Sequence, residues 1–166
     1  TAALGGDFIA SICEKWETTA LKFEKEKIPV TILRTGIVLS ENRGALEKMR
    51  TPIVTPLGSG KQYLAWIHID DLCEMYLKAI EGNLIGIYNA VAPEHQTSFS
   101  FSKALAKSIK KPFIGIPLPS FLLKLAFGEM SIILLGGSKI SSKKIEMSGF
   151  SFRFKTLEKA LDSFKF

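Results

Sequence analysis

The apolar positions of this chain change their period several times. Phe8, Ile12, Trp16, Ala20 and Phe23 recur at helical spacing behind Gly5-Gly6-Asp7, which breaks and caps. The helix they predict stops before Ile28-Pro29, because the residue ahead of a proline avoids helical dihedrals. VTILRTGIVL (30–39) is rich in β-branched residues and predicts a buried strand. GALEKMR (44–50) predicts a short helix, and TPIVTPLGSGKQ (51–62) a loop. YLAWIHI (63–69) is the next strand, with Trp66 and His68 on one face. Asp70 then stands where a helix N-cap belongs, Leu72, Met75, Tyr76, Ala79 and Ile80 form the following stripe, and Gly82 closes it. IGIYNAVA (85–92) predicts a strand, SFSKALAKSIKK (100–111) a helix and FIGI (113–116) a strand. Residues 119–137 read as two short helices and KISSKKIEMS (139–148) as another. After GFSFRF (149–154), a final helix carries Leu157, Ala160, Leu161 and Phe164 in register. Strands that alternate with helices predict an α/β chain with parallel pairings.

Composition narrows the class without naming it. The 166 residues suffice for a domain with a real core, and 46% apolar against 23% charged is globular usage. The net charge of +6 could favour phosphate-bearing ligands, but a modest lysine excess is also an ordinary solubility device. Lys103, Lys107, Lys110 and Lys111 share a helix face and raise a basic interaction module as one reading; a solvated face is the plainer one. Nucleic acid and membrane are not expected partners. Two distant cysteines, Cys13 and Cys73, form no framework, which suits a reducing compartment, the cytoplasm. The apolar run 119–137 is interrupted by Lys124, Gly128 and Glu129, which predicts packed helices before a membrane span.

The chemistry-bearing motifs are few. PLGSGKQ (56–62) fails as a phosphate loop, since Thr55 and Gln62 stand where Gly and Ser or Thr are needed. No GxGxxG occurs, so the dinucleotide fingerprint of a Rossmann fold is absent. His68 lacks the partners of a metal ligand, because His95 is the only other histidine and falls in a predicted loop.

In order along the chain, these stretches gain weight. FIASICEKWETTA, LRTGIVLS, GALEKM, PLGSGKQYLAWIHIDDL, IYNAVAPE, PLPSFLLKLAFGEMSIILLGGSKI and GFSFRFKTLEKAL together resemble the C-terminal half of the epimerase-like family. That family is an atypical branch of the extended short-chain dehydrogenases/reductases, often labelled nucleoside-diphosphate-sugar epimerases. WIHIDDL and GEM…LLGG…K are the most specific parts, the latter resembling the family's C-terminal domain of unknown function.

The resemblance implies the last part of a Rossmann-like NAD(P)-binding fold plus a small α/β substrate domain. It divides the chain into 1–92, the remainder of the Rossmann-like domain with 40–66 reaching the substrate side, and 93–166, the substrate domain. It implies a longer parent whose absent N-terminal half carries the glycine fingerprint. It places Arg34, Thr35 and Gly36 near the nicotinamide of NAD or NADP, with Ser59, Gly60, Lys61, Gln62 and Trp66 toward a small-molecule substrate. It gives Asp70 and Asp71 structural roles, with His68 packed near the cleft floor. Anchoring the first helix on Glu17 puts Ile9 and Cys13 where the superfamily's catalytic Tyr and Lys stand, and neither can do their work. Lys15 does not replace the Lys, because two residues turn a side chain about 200° around a helix. Cys13, Arg34 and His68 are then the catalytic candidates, and a non-catalytic cofactor-binding or regulatory protein is the rival. An isolated half of such a sheet is expected to bind cofactor poorly and to self-associate through its exposed edge.

Overall fold

A computed structural model describes residues 8–41, 44–119, 121, 123, 125 and 135–166. Helix α1 (Phe8–Leu21) runs into a 3₁₀ turn at Lys22–Glu26, closed by Lys27 in the left-handed region two residues before Pro29. Strands β1 (Thr31–Thr35) and β2 (Ile37–Leu39) and helix α2 (Ala45–Met49) follow. Strands β3 (Tyr63–Leu64) and β4 (Trp66–His68) lead directly into α3 (Ile69–Ile80). Then come β5 (Gly86–Ala90), β6 (Gln96–Thr97) and α4 (Ser98–Ser108). Two short helices, α5 (Lys143–Met147) and α6 (Leu157–Asp162), complete the described elements.

β1 lies parallel to β5, with Thr31 opposite Gly86 and Thr35 opposite Ala90. β2 lies parallel to β4, and β3 antiparallel to β6. The predicted strand 30–39 is therefore two strands with different partners, and the change falls at Gly36. Its N–H donates to the Ala90 carbonyl (3.1 Å), while the next amide, of Ile37, donates to Ala65 (2.7 Å). A Cβ on Gly36 would lie 2.7 Å from the Ala65 oxygen, so only glycine lets the three segments meet this closely. The predicted strand 63–69 is broken in the same place, at Ala65.

Two apolar clusters fill the interior. One joins Leu39, Leu46, Trp66, Phe101, Leu105 and Leu157 with their neighbours; the other joins Ile67, Met75, Leu84, Tyr88, Ile145 and Phe152 with theirs. Each cluster draws on residues from both sides of position 92. The alternating Phe150, Phe152 and Phe154 serve both, the first two in one cluster and the third in the other. Burying each such ring stabilises by about 1.5–3 kcal/mol.

Several local expectations change. FIGI is not a strand: Phe113 makes a single bridge to Val54 between two prolines. The helix expected over 139–148 is confined to Lys143–Met147. The stripe of α1 is largely uncovered, with Phe8 at 78% and Trp16 at 72% exposure. Most of the apolar run 119–137 lies outside the described residues.

Candidate functional site

The β1–β2 junction gathers the residues expected beside a nicotinamide. Arg34 and Thr35 end β1, both exposed, and Gly36 forms the crossover. The Arg34 guanidinium is engaged by Glu17 of α1: Nε donates to Oε1 (2.7 Å) and Nη2 to Oε2 (2.6 Å). This fork-to-fork pair holds the Glu17 carboxyl below the usual carboxylate range and pushes the guanidinium further up. Cys13, one turn before Glu17, is an exposed free thiol within electrostatic reach of Arg34. Thr35 Oγ1 donates to the Leu33 carbonyl (3.3 Å). The side chain of Ile9 lies outside the described residues.

The sequence WIHIDD builds a clamp. The reading of Asp70 as N-cap of α3 is corrected: the cap is His68, whose Nδ1 accepts the Asp70 N–H at 3.0 Å. His68 Nε2 meets Ser163 Oγ at 3.1 Å, and its ring is stacked against Phe154 and Phe164, with centroids 3.7 Å and 4.8 Å away. Burial lowers its pKa, opposed by the Asp70 and Asp71 carboxylates. A buried ring with both nitrogens engaged is poorly placed for substrate chemistry, so the geometry corrects His68 from catalytic candidate to structural residue. Asp71, also buried, accepts from the Arg153 amide through Oδ1 (2.8 Å) and from the Phe154 amide through Oδ2 (3.0 Å). The histidine and the second aspartate thus bind the C-terminal segment to the start of α3.

The loop 56–62 spends its polar groups on itself and on α4. Gly60, at φ +72°, turns the chain so that its N–H reaches Leu57 and its carbonyl accepts from Phe99 at the start of α4. Ser59 Oγ donates to Gln62 Oε1 (2.9 Å), Gln62 Nε2 donates to the Leu57 carbonyl (2.8 Å), and the Gln62 carbonyl accepts the Ser98 N–H. Lys61 is exposed. Trp66 is corrected outright: it is fully buried, with its indole N–H on the Glu94 carbonyl (3.1 Å), and presents no face to a ligand.

Sequence reasoning missed a small cleft beside the junction, lined by Tyr63, Ala65, Val91, His95, Ser138 and Lys139 among others. Tyr63 and His95 meet edge to face at 6.3 Å. The missed signal was Gly136-Gly137. The backbone of Gly137 lies so close to the Tyr63 carbonyl that any side chain there would collide with it, and this brings Ser138 and Lys139 over the strand. Among the described residues no three His, Cys, Asp or Glu side chains come together to hold a metal, and no helix is long and apolar enough to cross a membrane.

Comparison with known proteins places this geometry. The domain of unknown function DUF1731 matches residues 118–164. The epimerase family protein SDR39U1 homolog, chloroplastic, of Arabidopsis thaliana is 34% identical over 163 residues, 95% of this chain and 46% of that protein. Human epimerase family protein SDR39U1 (isoform 2), solved with NADPH, superposes with a TM-score of 0.86 at 30% identity, over 98% of this chain and 57% of that one. Over the length that it spans, the chain is similar to part of epimerase family protein SDR39U1.

The α/β architecture is thus that of Rossmann-like NAD(P)-binding epimerases. Thermus thermophilus UDP-glucose 4-epimerase, solved with NAD, shares the fold at a TM-score of 0.69 and 18% identity, over 92% of this chain and 51% of that one. The chain spans about half the length of the curated epimerase family relatives it matches.

Proposed function

We propose that this chain forms the C-terminal part of an NAD(P)-dependent epimerase- or dehydratase-like oxidoreductase acting on a nucleotide sugar. The observation that carries the reading is the Arg34–Gly36 junction. It is the carboxyl end of the parallel pair β1–β5, and open α/β sheets take their ligands at the carboxyl ends of their strands; the chain is also closely superposable on an NADPH-containing relative. β5 has its outer edge covered, with Asn89 donating to Ser141 and Lys144 to Ile87. β1 has no second partner among the described residues. An N-terminal Rossmann half pairing with that edge would also cover Phe8, Trp16 and Phe23 of the preceding segment. Left without it, the chain self-associates through these surfaces.

The residues present fit one end of a cofactor site. Cys13, Thr35 and Gly36 can flank a nicotinamide, while the fork of Arg34 is already filled by Glu17. The diphosphate end fits nothing described here, since it needs a glycine turn at a helix N-terminus. NAD or NADP, when bound, supplies hydride transfer; this chain supplies the wall beside it and the substrate side. On that side Ser59, Gly60 and Gln62 shape the loop that presents Lys61. In this division 1–92 serves the cofactor, with 40–66 reaching toward substrate, and 93–166 serves the substrate. The exposed, unpaired Cys13 and Cys73 are compatible with a reducing compartment and support cytoplasmic placement.

A second reading, a non-catalytic cofactor-binding protein, is favoured by one feature: α1 offers Cys13 where a catalytic lysine is expected. The experiment titrates NADPH into this chain and into a protein that also contains the N-terminal half, then assays nucleotide-sugar turnover. Binding by the longer protein alone, with turnover that survives Cys13→Ala, supports an enzyme that uses other groups. Binding without turnover selects the second reading, and micromolar binding by this chain alone refutes the proposed division of the site.

A further inference from the structure

We propose that His68 is an acid-sensitive latch for the contacts that the C-terminal segment makes with it and with the start of α3 through Arg153, Phe154, Ser163 and Phe164, closed while its ring is neutral and loosened when the ring is protonated. This does not rest on the functional reading above. Ser163 Oγ donates its proton to the Ala160 carbonyl at 2.7 Å, so toward His68 it is an acceptor. Nε2 therefore carries the ring hydrogen and Nδ1 is bare. The Asp70 N–H, 3.0 Å from Nδ1, requires the same tautomer. A second proton can go only to Nδ1, where it faces the amide hydrogen that caps α3. The cap is lost, and a cation is created in a buried slot between Phe154 and Phe164.

The charged groups around the ring oppose one another. On α3, Asp70 Oδ2 stands 3.8 Å from Nδ1, and Asp71 lies close by with both oxygens bonded to backbone amides. From the C-terminal segment comes Arg153, whose Nη1 is 3.7 Å from the same Asp70 oxygen. α6 packs against the ring through Ser163. Both aspartates favour the protonated ring, while burial, the largest influence, and Arg153 favour the neutral one. Asp70 Oδ2, already 3.8 Å from Nδ1, can pair with the new proton, but the Asp70 N–H is then left without its acceptor. The two rings and Ser163 that hold His68 all belong to the C-terminal segment, so loosening it removes the burial that kept the ring neutral. That coupling is what makes the contact a switch.

The sign follows from burial. A histidine held below its ordinary value near pH 6.5 contributes fully above that pH and progressively less below it, until its folded-state pKa is passed. Within that window each unit of acidification raises the loosened-to-closed ratio by up to about tenfold. The experiment follows the amide NMR signals of Asp70, Arg153 and Phe154, and the His68 ring, in this chain between pH 7.5 and 5, above the main carboxylate titrations. The expected result is joint loss of the closed-state amide signals as the ring protonates. In His68→Asn, whose side-chain oxygen can still cap α3 but does not titrate, the amides should be insensitive to pH. Ring protonation that leaves the three amides in place overturns the proposal, and needs no variant to be folded. The same pH step surviving in His68→Asn overturns it too.

Discussion

Asp71→Asn tests the clamp most directly. In the native chain one buried carboxylate accepts two backbone N–H groups, at 2.8 Å from Arg153 and 3.0 Å from Phe154, across 82 and 83 residues of sequence. Asparagine has nearly the same shape and keeps one oxygen, but it turns an NH₂ toward one of those amides. One charge-assisted bond becomes neutral and the other is replaced by two donors facing each other. A hydrogen bond to a charged group contributes about 1.5–3 kcal/mol, and a buried N–H left without an acceptor costs about 1–3 kcal/mol. The loss of favourable charge in the first turn of α3 adds about 0.5 kcal/mol. The expected destabilisation is about 3 kcal/mol, a fall in Tm of about 6–12 °C for a chain of this size. Urea unfolding followed by circular dichroism measures it, with an unchanged slope showing that the same surface is exposed. Asp70→Asn is the control: Asp70 is half exposed and its salt-bridge contacts are long, so it should cost less than about 1 kcal/mol. A loss under about 0.5 kcal/mol for Asp71→Asn, or equal losses for the two variants, would refute the assignment of the clamp to Asp71.

Other outcomes follow from single contacts. Gly36→Ala should destabilise by about 2 kcal/mol or more, because its Cβ would press 2.7 Å from the Ala65 carbonyl; a melting temperature within 2 °C of the parent, judged against about 2–4 °C per kcal/mol, would contradict this. Trp66→Phe should cost stability, about 1–2 kcal/mol from the indole bond to Glu94 and lost volume, and leave ligand affinity in the two-half protein unchanged; a selective loss of affinity would return Trp66 to the substrate face. Glu17→Gln should cost less than about 1 kcal/mol, because the pair with Arg34 is partly solvated. Since Arg34 lowers the Glu17 pKa, that contribution is present above the ordinary carboxylate range and is lost as pH falls through the lowered value; a variant difference that grows on acidification would be the wrong sign.

What could be read in the sequence was what local patterning controls. The stripe of α3 buries Leu72 and Met75, and the final helix seats Leu157, Ala160 and Leu161, because those positions follow the helix period. The pairing of the strands was not legible. Nothing local says that residue 35 belongs beside β5 and residue 37 beside β4; that change of partner is a property of three segments meeting, and Gly36 is its only trace. The N-cap was misassigned for a related reason. Aspartate is the better intrinsic cap, yet α3 already begins at Ile69, so Asp70 lies inside its first turn with its N–H held by His68 Nδ1, and Asp71 is drawn to two amides far along the chain. Trp66 was placed on the ligand side by resemblance, whereas the strand it sits on is buried on both faces.

The contrast between α1 and α3 gives the proposed missing half its physical basis. Both carry apolar stripes. α3 buries Leu72 and Met75 against Ile67, Leu84 and Tyr88 and leaves Tyr76 and Ile80 exposed, while α1 leaves Phe8 and Trp16, and the turn after it Phe23, largely in solvent, and is tied to the sheet by the Glu17–Arg34 pair. A partly solvated ion pair contributes at most about 1 kcal/mol, whereas covering a single large apolar side chain contributes about 1.5–3 kcal/mol. The favourable energy available to α1 therefore lies mainly in surface that this chain does not cover. A partner supplying a strand for the open edge of β1 and an apolar face for α1 would gain both at once. Hydrogen exchange reads this out: the amides of α1 and β1 should exchange much faster than those of α3 in this chain alone, and reach comparable protection when the N-terminal half is present. Equal protection of α1 and α3 in the isolated chain would mean that α1 is already fully packed, and would remove this support for the missing half.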